Sequence, residues 1–556
     1  MLQHRHSEEV RRSGEDVPRI VQFGDSRSPD REMFCVPRSR MLHAMAQAEP
    51  TVGDSSMDTF EGLQQRLGSA LEVNKPGSGT PHVVIMLPSL GLGESFLSHY
   101  ANRIPVLEHR YLVACLMLVR IPGCEVVFVA SQDPGSEVLD YYLGFFGPDC
   151  RDDARRRFRV LALDDLAPRG VAAKLLDRPG LVESLRSSVQ GRLAFIEPGW
   201  NVGENEAAVA RALGVPINGA APELWPLGFK SAGRRLFAEA GVPIPVGVED
   251  VRSVTGAVEA IEAIRRRRPH AAGVVLKHDD SGGGDGNAVV HFCGIPDAPA
   301  EARRWIRRQI EALPGWYLHD LRAGSVVEEL ITGYCFSSPS VQVDILPDGD
   351  VVVVSSHEQL VGGNTGHVYT GCRFPADPAY APDLARYGIA VGERLSRRGA
   401  VGRFSVDFAA RVDAAGIWRL YALEINLRKG GGSHPLTVLR NLVPGRYDSD
   451  TGTFHDAARR AKFYSASDNV VDEAWTGMAP SDVIRAVGAA GLAFNPETGT
   501  GVVLHMLSGL AIDGRFGLTA IADSPEQAKM LHESTQTSVD GMARATRPAG
   551  SRDGSR

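Results

Sequence analysis

The sequence lacks any apolar segment long enough to cross a bilayer as a helix. Its longest notable apolar run, residues 111–119, is far shorter than the ~20 residues that a membrane-spanning helix needs. This run is instead typical of a core helix. The N-terminal segment alternates charged and polar residues without an apolar stretch, so we also expect no secretory signal.

The chain also has little excess charge and few cysteines. It carries 60 Lys and Arg against 67 Asp and Glu, and the net charge of −7 argues against sequence-independent nucleic-acid binding as the main function. The seven cysteines are scattered and form no Cys-x-x-Cys pair, which favours reduced thiols in a cytosol. We therefore expect a cytoplasmic protein that binds neither nucleic acid nor membrane.

What the sequence does contain indicates several structural units. A chain of 556 residues is too long for one core and predicts three or four units. Residues 1–55 are mixed in charge and lack periodicity, which predicts disorder. Between residues 83 and 222, short apolar runs alternate with helical patterns, as a parallel α/β sheet requires.

The most informative stretch is residues 420–432, an apolar strand that ends in a Glu-x-Asn-x-Arg cluster followed by three glycines. Alternate residues of a strand face the same way, so Glu424 and Asn426 point together, as does Arg428 if the strand extends that far. Two oxygen ligands beside a guanidinium suit Mg²⁺ that carries nucleotide phosphates. Taken alone, the pattern fits a surface strand equally well.

A second strand pattern precedes this cluster. Residues 402–408 place Asp407 on one face at period two, and residues 412–416 supply a turn before the next strand. An antiparallel hairpin would bring Asp407 close to Glu424 and Asn426. These residues would then form a metal site of two carboxylates and one amide oxygen, although a lone aspartate on a strand is usually solvated.

Two upstream lysines suit the same nucleotide. Lys277 ends an apolar run and precedes the glycine-rich segment 278–287, whose backbone N–H groups can bend around phosphate oxygens. Lys230 opens a helix that Gly241 ends. Taken singly, either lysine is more often a surface charge. In the glycine-rich loop the candidate phosphate contacts are Ser281, Gly283 and Gly284.

Residues 326–333 form an apolar strand that runs into a turn, and the main chain of Glu328, Glu329 and Leu330 can offer hydrogen bonds to an adenine edge. The order of these features resembles the ATP-grasp superfamily. They are the two lysines, the glycine-rich loop, the strand at 326–333 (the hinge strand), and the strands that carry the Asp and the Glu-x-Asn cluster. A finer resemblance, to the carboxylate–amine ligases related to the pheganomycin peptide ligase, spans roughly residues 80–530. The segments that carry it are residues 83–94, 193–206, 213–219, 230–245 and 501–509.

The resemblance implies a mixed α/β and α+β architecture. An ATP-grasp fold is expected at residues 223–445, preceded by a parallel α/β pre-ATP-grasp domain at 56–222. A small C-terminal α+β domain is expected at 446–540, followed by a disordered tail at 541–556.

The resemblance also implies a mechanism. Lys230 and Lys277 would hold the ATP phosphates, and the three residues of the metal cluster would hold Mg²⁺, with Mn²⁺ as the alternative ion. A substrate carboxylate would attack the γ-phosphorus to give an acyl phosphate and ADP, and an amine would then displace phosphate to leave an amide. Arg428 would stabilise the charge that develops in both steps.

The segment after the metal strand adds a second anion site by resemblance. Ser433 is predicted as the N-cap of a helix, with the preceding glycines exposing N–H groups near its N-terminus. D-alanine–D-alanine ligases carry a similar Gly-x-x-Ser-His segment that serves the substrate and its tetrahedral intermediate. We therefore assign oxyanion or substrate-carboxylate binding to Gly430, Gly431 and Ser433; an ordinary N-cap after a flexible loop is the alternative.

Two further features qualify the resemblance. Many ATP-grasp enzymes carry a ribose-binding glutamate two residues beyond the glycine of the hinge, where this chain has Cys335. We therefore expect that Glu329 or Asp344 binds the ribose, or that ribose recognition is weak. The polar, glycine-containing stretch 355–371 is read as a substrate-contacting loop or a plain surface loop, and His357 as a hydrogen-bonding residue rather than a metal ligand.

The expected function is an ATP-dependent carboxylate–amine ligase of peptide natural-product biosynthesis. Its partners would be a small carboxylic acid or amino acid and an amine or peptide acceptor, and a homodimer is left open. Two alternatives remain: an ATP-grasp-fold kinase that stops at phosphoryl transfer, and a non-catalytic nucleotide-binding module.

Overall fold

The protein is described by a computed structural model over residues 59–91, 97–98, 101–281, 286–362 and 368–546. The predicted disorder of residues 1–55 lies outside these ranges. The last helix continues to Thr546, so residues 541–546 of the predicted disordered tail are helical. Among the described residues, no helix combines the length and apolar character that a membrane crossing requires.

A parallel sheet of four strands forms the first layer, as the alternating pattern predicted. All six residues of its first strand are buried, because helices cover both faces of the sheet. The predicted core helix at 111–119 is a buried 3₁₀ helix, Arg110–Val119. In the order β3-β2-β1-β4, the strands are β1 (His82–Leu87), β2 (Cys124–Ala130), β3 (Phe158–Ala162) and β4 (Leu193–Pro198).

The helices of this first part lie between and after its strands. Their bounds are Phe60–Gln64, Leu67–Val73, Ile104–His109, Ser136–Leu143, Pro148–Arg157, Val171–Leu176, Pro179–Val189 and Glu204–Leu213.

A second sheet follows, with four antiparallel strands in the order β5-β8-β6-β7. It places the hinge strand β8 directly beside β6, the strand that carries Lys277. The strands are β5 (Gly247–Val251), β6 (Gly273–His278), β7 (Asn287–His291) and β8 (Ser325–Glu329), and the helices are Lys230–Glu239, Val254–Arg267, Pro299–Glu311 and Gly315–Asp320.

The largest sheet contains the strands that carry Asp407 and Glu424. It continues into the C-terminal part of the chain because β12 (Val368–Phe374) pairs with β17 (Phe463–Val471). The C-terminal strands therefore extend the same sheet. The strands of this region are β9 (Phe336–Ser337), β10 (Pro339–Ile345), β11 (Val351–Gly362), β12 (Val368–Phe374), β13 (Gly402–Val412), β14 (Trp418–Asn426), β15 (Gly445–Asp448), β16 (Thr453–Asp456), β17 (Phe463–Val471), β18 (Gly501–His505) and β19 (Arg515–Ala522). Its helices are Ala381–Ser396, Ser433–Leu442, Pro480–Ala489, Leu510–Asp513 and Pro525–Thr546.

One hydrophobic core connects the first sheet with the C-terminal strands. Leu112 and Leu116 of the 3₁₀ helix belong to it together with Leu436 and Leu439 of the helix Ser433–Leu442. This packing fixes the start of that helix, which follows the three glycines. The predicted domain division stays a prediction, because all described residues belong to one compact unit.

Candidate functional site

The predicted metal residues meet across the β13–β14 hairpin. Asp407 stands opposite Glu424 and Ser405 stands opposite Asn426 in an antiparallel register. The Asn426 side-chain amide donates to the Asp407 carboxylate at 2.9 Å. The juxtaposition predicted from the two strand patterns is thus confirmed.

The hairpin crowds two carboxylates in a largely buried place. Burial raises the pKa of Asp407 above its ordinary value, and the negative charge of Glu424 raises it further. The Gln359 side chain, which the metal pattern did not include, also contacts Asp407 and opposes that rise. The arrangement favours a positive charge between the two carboxylates.

Lys230 is the cation closest to this pair in the described chain. Its Nζ lies 2.9 Å from Glu424 Oε1 and donates to the Ser281 carbonyl at 2.6 Å. The lysine begins a helix as predicted, and Asp279 caps that helix by accepting from the Ser231 N–H at 2.8 Å. The end of β6 is therefore tied to the start of the Lys230 helix.

The hinge strand buries a double salt bridge. Lys277 Nζ lies 2.6 Å from Glu328 Oε2, and Arg234 Nη1 lies 2.7 Å from Glu328 Oε1. Burial alone would raise the pKa of Glu328, but the two cations outweigh it and hold that pKa below its ordinary value. The side chain of Glu328 is thus a partner of Lys277 inside the protein.

The main chain of the hinge is partly engaged. The Glu329 N–H donates to the Val246 carbonyl at 2.7 Å, and the Leu330 N–H donates to the Gly273 carbonyl at 3.0 Å. An adenine edge would therefore meet carbonyl groups of this strand, or N–H groups that follow Leu330.

The glycine-rich loop, residues 278–287, is described only at its ends. Gly283 and Gly284 lie outside the described residues. Ser281 is described: its carbonyl accepts from Lys230, and its hydroxyl donates to the His278 carbonyl at 3.0 Å. The start of the loop is therefore in contact with one of the two predicted phosphate lysines.

Arg428 lies over an aromatic ring. Its guanidinium carbon is 3.7 Å from the centre of the Trp200 ring, and its Nη1 donates to the Lys429 carbonyl at 3.1 Å. Burial lowers the pKa of Arg428, and Glu424 opposes that effect. Trp200 was recognised only as part of a resembling segment, because no spacing rule links a tryptophan to an arginine 228 positions later.

The prediction that Ser433 caps the next helix is wrong. The helix begins at Ser433 itself and has Gly432 at its N-cap position. The Ser433 hydroxyl instead donates to Gln342 Oε1 at 2.9 Å on the neighbouring strand β10. A partner across the sheet therefore holds the side chain that sequence reasoning assigned to the helix end.

The glycines of this segment are required by close packing. A Cβ on Gly430 would lie 2.9 Å from the Ser405 hydroxyl, and one on Gly431 would lie 2.5 Å from the Tyr369 ring. One on Gly432 would lie 2.4 Å from the Gln342 amide. The chain comes so close to the neighbouring strands that side chains there would displace it.

The stretch predicted as a loop at 355–371 is mostly strand. β11 extends to Gly362 and β12 begins at Val368, while residues 363–367 lie outside the described part. Its polar residues made it look like a loop, but some of them have buried partners, as Ser356 has in the Tyr447 hydroxyl at 2.8 Å. His357, for example, is hydrogen bonded to the Tyr464 hydroxyl at 2.5 Å, so its predicted hydrogen-bonding role is confirmed.

The two carboxylates considered for ribose binding have protein partners. Asp344 accepts from Arg403 Nε at 2.7 Å and from Arg403 Nη2 at 2.8 Å. Glu329 pairs with exposed Arg268 at 3.2 Å. Of the two, Glu329 is the one that a nucleotide could recruit more easily, because an exposed pair contributes little.

Comparisons with known proteins show which chains resemble this one. Residues 482–535 match the family model described as the PGM1 C-terminal domain. The chain is 31% identical over 439 residues to L-propargylglycine–L-glutamate ligase of Streptantibioticus cattleyicolor, which covers 76% of this chain and 87% of the relative. It is 23% identical over 464 residues to IQ motif-containing protein H of Danio rerio, which covers 74% of this chain and 43% of the relative.

Two solved structures show lower similarity. An ADP complex of N5-carboxyaminoimidazole ribonucleotide synthetase is 13% identical, with a TM-score of 0.46 and coverage of 84% of this chain and 98% of that one. The biotin carboxylase domain of 2-oxoglutarate carboxylase from Hydrogenobacter thermophilus is 15% identical, with a TM-score of 0.47 and coverage of 82% and 89%. Since the ligase relative is matched over most of its length, the chain belongs to the ATP-grasp carboxylate–amine ligases, which use ATP to form C–N bonds.

Proposed function

We propose that this enzyme activates an amino acid or other small carboxylic acid as an acyl phosphate and joins it to the amine of an amino acid or peptide, in natural-product biosynthesis. The observation that carries the proposal is the pairing of Asp407 with Glu424 across the hairpin, next to Lys230. The relative named for L-propargylglycine and L-glutamate supports amino acids as the substrate class.

The metal cluster fits Mg²⁺. Burial raises the pKa of Asp407 and the charge of Glu424 raises it further, so a divalent cation would relieve the repulsion between the two carboxylates. Asp407, Glu424 and Asn426 would hold the ion, with Mn²⁺ as the alternative. When bound, it would neutralise charge on the β- and γ-phosphates of ATP.

We assign the remaining nucleotide contacts to residues near this cluster. Lys230 would bind phosphate oxygens, since its Nζ already lies between Glu424 and the loop residue Ser281. Lys277, held by Glu328, would bind phosphate from the other side of the loop. The lid assignment includes Gly283 and Gly284, and the adenine assignment keeps the carbonyls of Glu328, Glu329 and Leu330.

In the proposed reaction, a carboxylate oxygen attacks the γ-phosphorus and the bond to the ADP oxygen breaks. An amine nitrogen then attacks the acyl carbon, phosphate leaves, and the amine gives up a proton. Arg428, which lies over the Trp200 ring, would stabilise the transferred phosphoryl group. The N–H groups of Gly430 and Gly431 would stabilise the tetrahedral oxyanion, and Ser433, whose N–H donates to the Gly430 carbonyl at 3.1 Å, would hold this segment in place.

The test is mass spectrometry of products formed by the full chain with ATP, Mg²⁺, L-propargylglycine, L-glutamate, pooled amino acids and peptides. We expect phosphate release that depends on both an acid and an amine. Hydroxylamine reads the first half-reaction independently by forming a hydroxamate from the acyl phosphate. Stable transfer of the γ-phosphate to a hydroxyl group, with no hydroxamate from any acid, would contradict the ligase and identify a kinase.

We propose a cytoplasmic location, supported by cysteines such as Cys115 and Cys124 that are free thiols buried in the core. Cell fractionation tests it. We also propose a homodimer that does not bind nucleic acid, and sedimentation of the protein with and without nucleic acid tests both.

A further inference from the structure

A buried charged cluster lies beside the proposed catalytic residues. Asp468 belongs to β17, where the pairing register shifts, and its Oδ1 lies 2.7 Å from His434 Nε2 and 2.8 Å from His505 Nε2. Its other oxygen, Oδ2, lies 3.1 Å from Arg110 Nε. His434 directly follows Ser433, so the cluster adjoins the glycine segment.

The cluster is built to hold a fixed geometry. Its four residues come from four separate chain segments, and the side chains of Arg110 and Asp468 are only 13% and 12% exposed. His505 is fully buried, and a Cβ on Gly517 would lie 2.2 Å from its ring. The His505 imidazole therefore cannot turn away from Asp468 without repacking β19.

Arg110 shares an aromatic wall with Arg428. Its guanidinium carbon is 6.0 Å from the Tyr111 ring centre, and Tyr111 packs against Gly199, where a Cβ would lie 3.0 Å from the ring. Gly199 precedes Trp200, on which Arg428 stacks. The two guanidiniums thus lie near the same two rings, Tyr111 and Trp200, and close enough for their charges to interact.

The positive charges of Arg110 and Arg428 near these two rings favour an anion. Burial is the main cause that lowers the pKa of Arg428, and the positive charge of Arg110 contributes to the same decrease. Within the described residues, Asp468 is the carboxylate that pairs with Arg110. Asp468 contacts the Nε side of Arg110, and the two terminal nitrogens form a second fork that suits a carboxylate.

A metal ion is the competing occupant of the cluster, because two imidazoles and a carboxylate are metal ligands. The guanidinium of Arg110 lies against the same carboxylate, however, and its positive charge opposes a divalent cation there. The cluster is better suited to orienting Arg110 than to binding metal.

We propose that Arg110 binds the free carboxylate of the amine-bearing substrate, and that Asp468, held by His434 and His505, positions Arg110 for this task. The inference rests on the proposed ligase function and adds a substrate class: amino acids or peptides with a free carboxylate near the reacting amine. Arg428 lies at the phosphate side, next to Glu424, so Arg110 serves the acceptor side.

The test is a competition between acceptors. The full chain receives ATP, Mg²⁺ and an equimolar pool of L-amino acids and their carboxamides, and mass spectrometry counts the amide products that end in a carboxylate or a carboxamide. We expect the wild type to favour carboxylate acceptors by about tenfold to hundredfold, as for a charged hydrogen-bonded pair. Arg110→Gln should bring the ratio near one through a raised KM for carboxylate acceptors, while hydroxamate formation persists.

Two variants and one control complete the design. Arg110→Lys should restore part of the preference, and Asp468→Asn should weaken it, since the guanidinium loses its orienting partner. Arg103→Gln is the control. Arg103 lies seven residues before Arg110, and its partly exposed side chain pairs with Asp513 at 2.8 Å. It should keep the wild-type ratio.

The outcomes are distinguishable. Normal hydroxamate formation with an unchanged acceptor ratio in Arg110→Gln overturns this inference alone. No hydroxamate and no amide product from the wild type overturns the proposed function and this inference with it. A preference that survives in Arg110→Gln but disappears with the zinc chelator 1,10-phenanthroline overturns the inference in favour of a metal centre.

Discussion

Two carboxylates on neighbouring sheets look alike in the sequence and differ in their surroundings. Glu328 on β8 forms salt bridges with Lys277 Nζ at 2.6 Å and with Arg234 Nη1 at 2.7 Å. Asp407 on β13 instead faces a second carboxylate, Glu424, across the hairpin. Both oxygens of the first carboxylate are paired with cations, whereas in the second site Glu424 pairs with Lys230 and, among the described residues, Asp407 has no cation within salt-bridge distance.

The pKa shifts of the two groups have opposite signs and opposite consequences. The pKa of Glu328 is lowered, so its ion pairs stabilise the fold above the unfolded-state pKa, and this contribution is lost as the pH falls through the lower, folded value. The pKa of Asp407 is raised, so its ionisation destabilises the fold as the pH rises through the folded value. A neutralised cluster holds the fold together, and a crowded one is suited to a bound cation.

The largest expected effect follows from changing the crowded pair. Asp407→Asn or Glu424→Gln should lower the rate of ADP formation by roughly a thousandfold or more, because neutralisation of the phosphates acts in the transition state. Asp407→Asn should also leave the protein at least as stable at pH 8, since a repelling charge is gone. Steady-state kinetics and chemical unfolding measure the two effects.

Asp413→Asn is the matched control for this change. It alters a half-buried carboxylate in the turn of the same hairpin, where Asp413 pairs with Arg419. It should keep wild-type activity. Full turnover in Asp407→Asn would remove the metal assignment.

The neutralised site should respond in the opposite way. Glu328→Gln leaves Lys277 and Arg234 buried without their shared carboxylate, so we expect a loss of about 3–5 kcal/mol in the free energy of unfolding. Denaturant unfolding at pH 7 measures it. Glu329→Gln, next in the chain and paired only with exposed Arg268, should cost less than about 1 kcal/mol. Equal losses in both variants would contradict the contrast.

Arg428 provides a third test because it acts next to the crowded pair. Arg428→Ala should lower the rate of amide formation by roughly a hundredfold. Arg428→Lys should recover only part of it, since a lysine does not reproduce the planar stacking on Trp200. The assignment would be wrong if lysine restored full activity.

The smallest expected effect comes from a third buried carboxylate, Glu108, which accepts from the Ser131 N–H and hydroxyl at 2.7 Å each. Burial raises its pKa to about 7 from 4.5. The folded state therefore holds this proton more tightly than the unfolded state, and stability falls as the pH rises from about 5 to 8.

Glu108→Gln should remove that decrease, worth about 2 kcal/mol. Unfolding measured at pH 5 and pH 8 checks it. Glu125→Gln is the control. Glu125 lies on strand β2 and pairs with Arg192, so this change should keep the wild-type pH dependence. An unchanged pH dependence in Glu108→Gln would show that Glu108 is not the group responsible.

Local patterns in the sequence were enough to predict several parts of the site. The period-two strands that carry Asp407 and Glu424, with a short turn between them, could pair only as a hairpin, and the helix start at Lys230 followed from its neighbours. The parallel first sheet was predictable because buried parallel strands are short apolar runs between helices.

Other features depend on residues that are distant in the chain. The N-cap prediction for Ser433 was wrong because its hydroxyl donates to Gln342 on strand β10. The polar stretch around His357 lies in strands, where the Tyr464 hydroxyl is hydrogen bonded to His357 Nε2. Local rules cannot identify such partners.

The sequence by itself determined which chemical groups this chain carries: carboxylates, an amide, lysines and glycines, in an order that resembles one family. Only the tertiary structure decided which charges are neutralised. It gives Glu328 two cations and leaves Asp407 beside a carboxylate. It also joins Arg110, His434, Asp468 and His505 from four segments. The physical reason is that a charge's energy depends on its neighbours in space and on its burial, which a linear order does not specify.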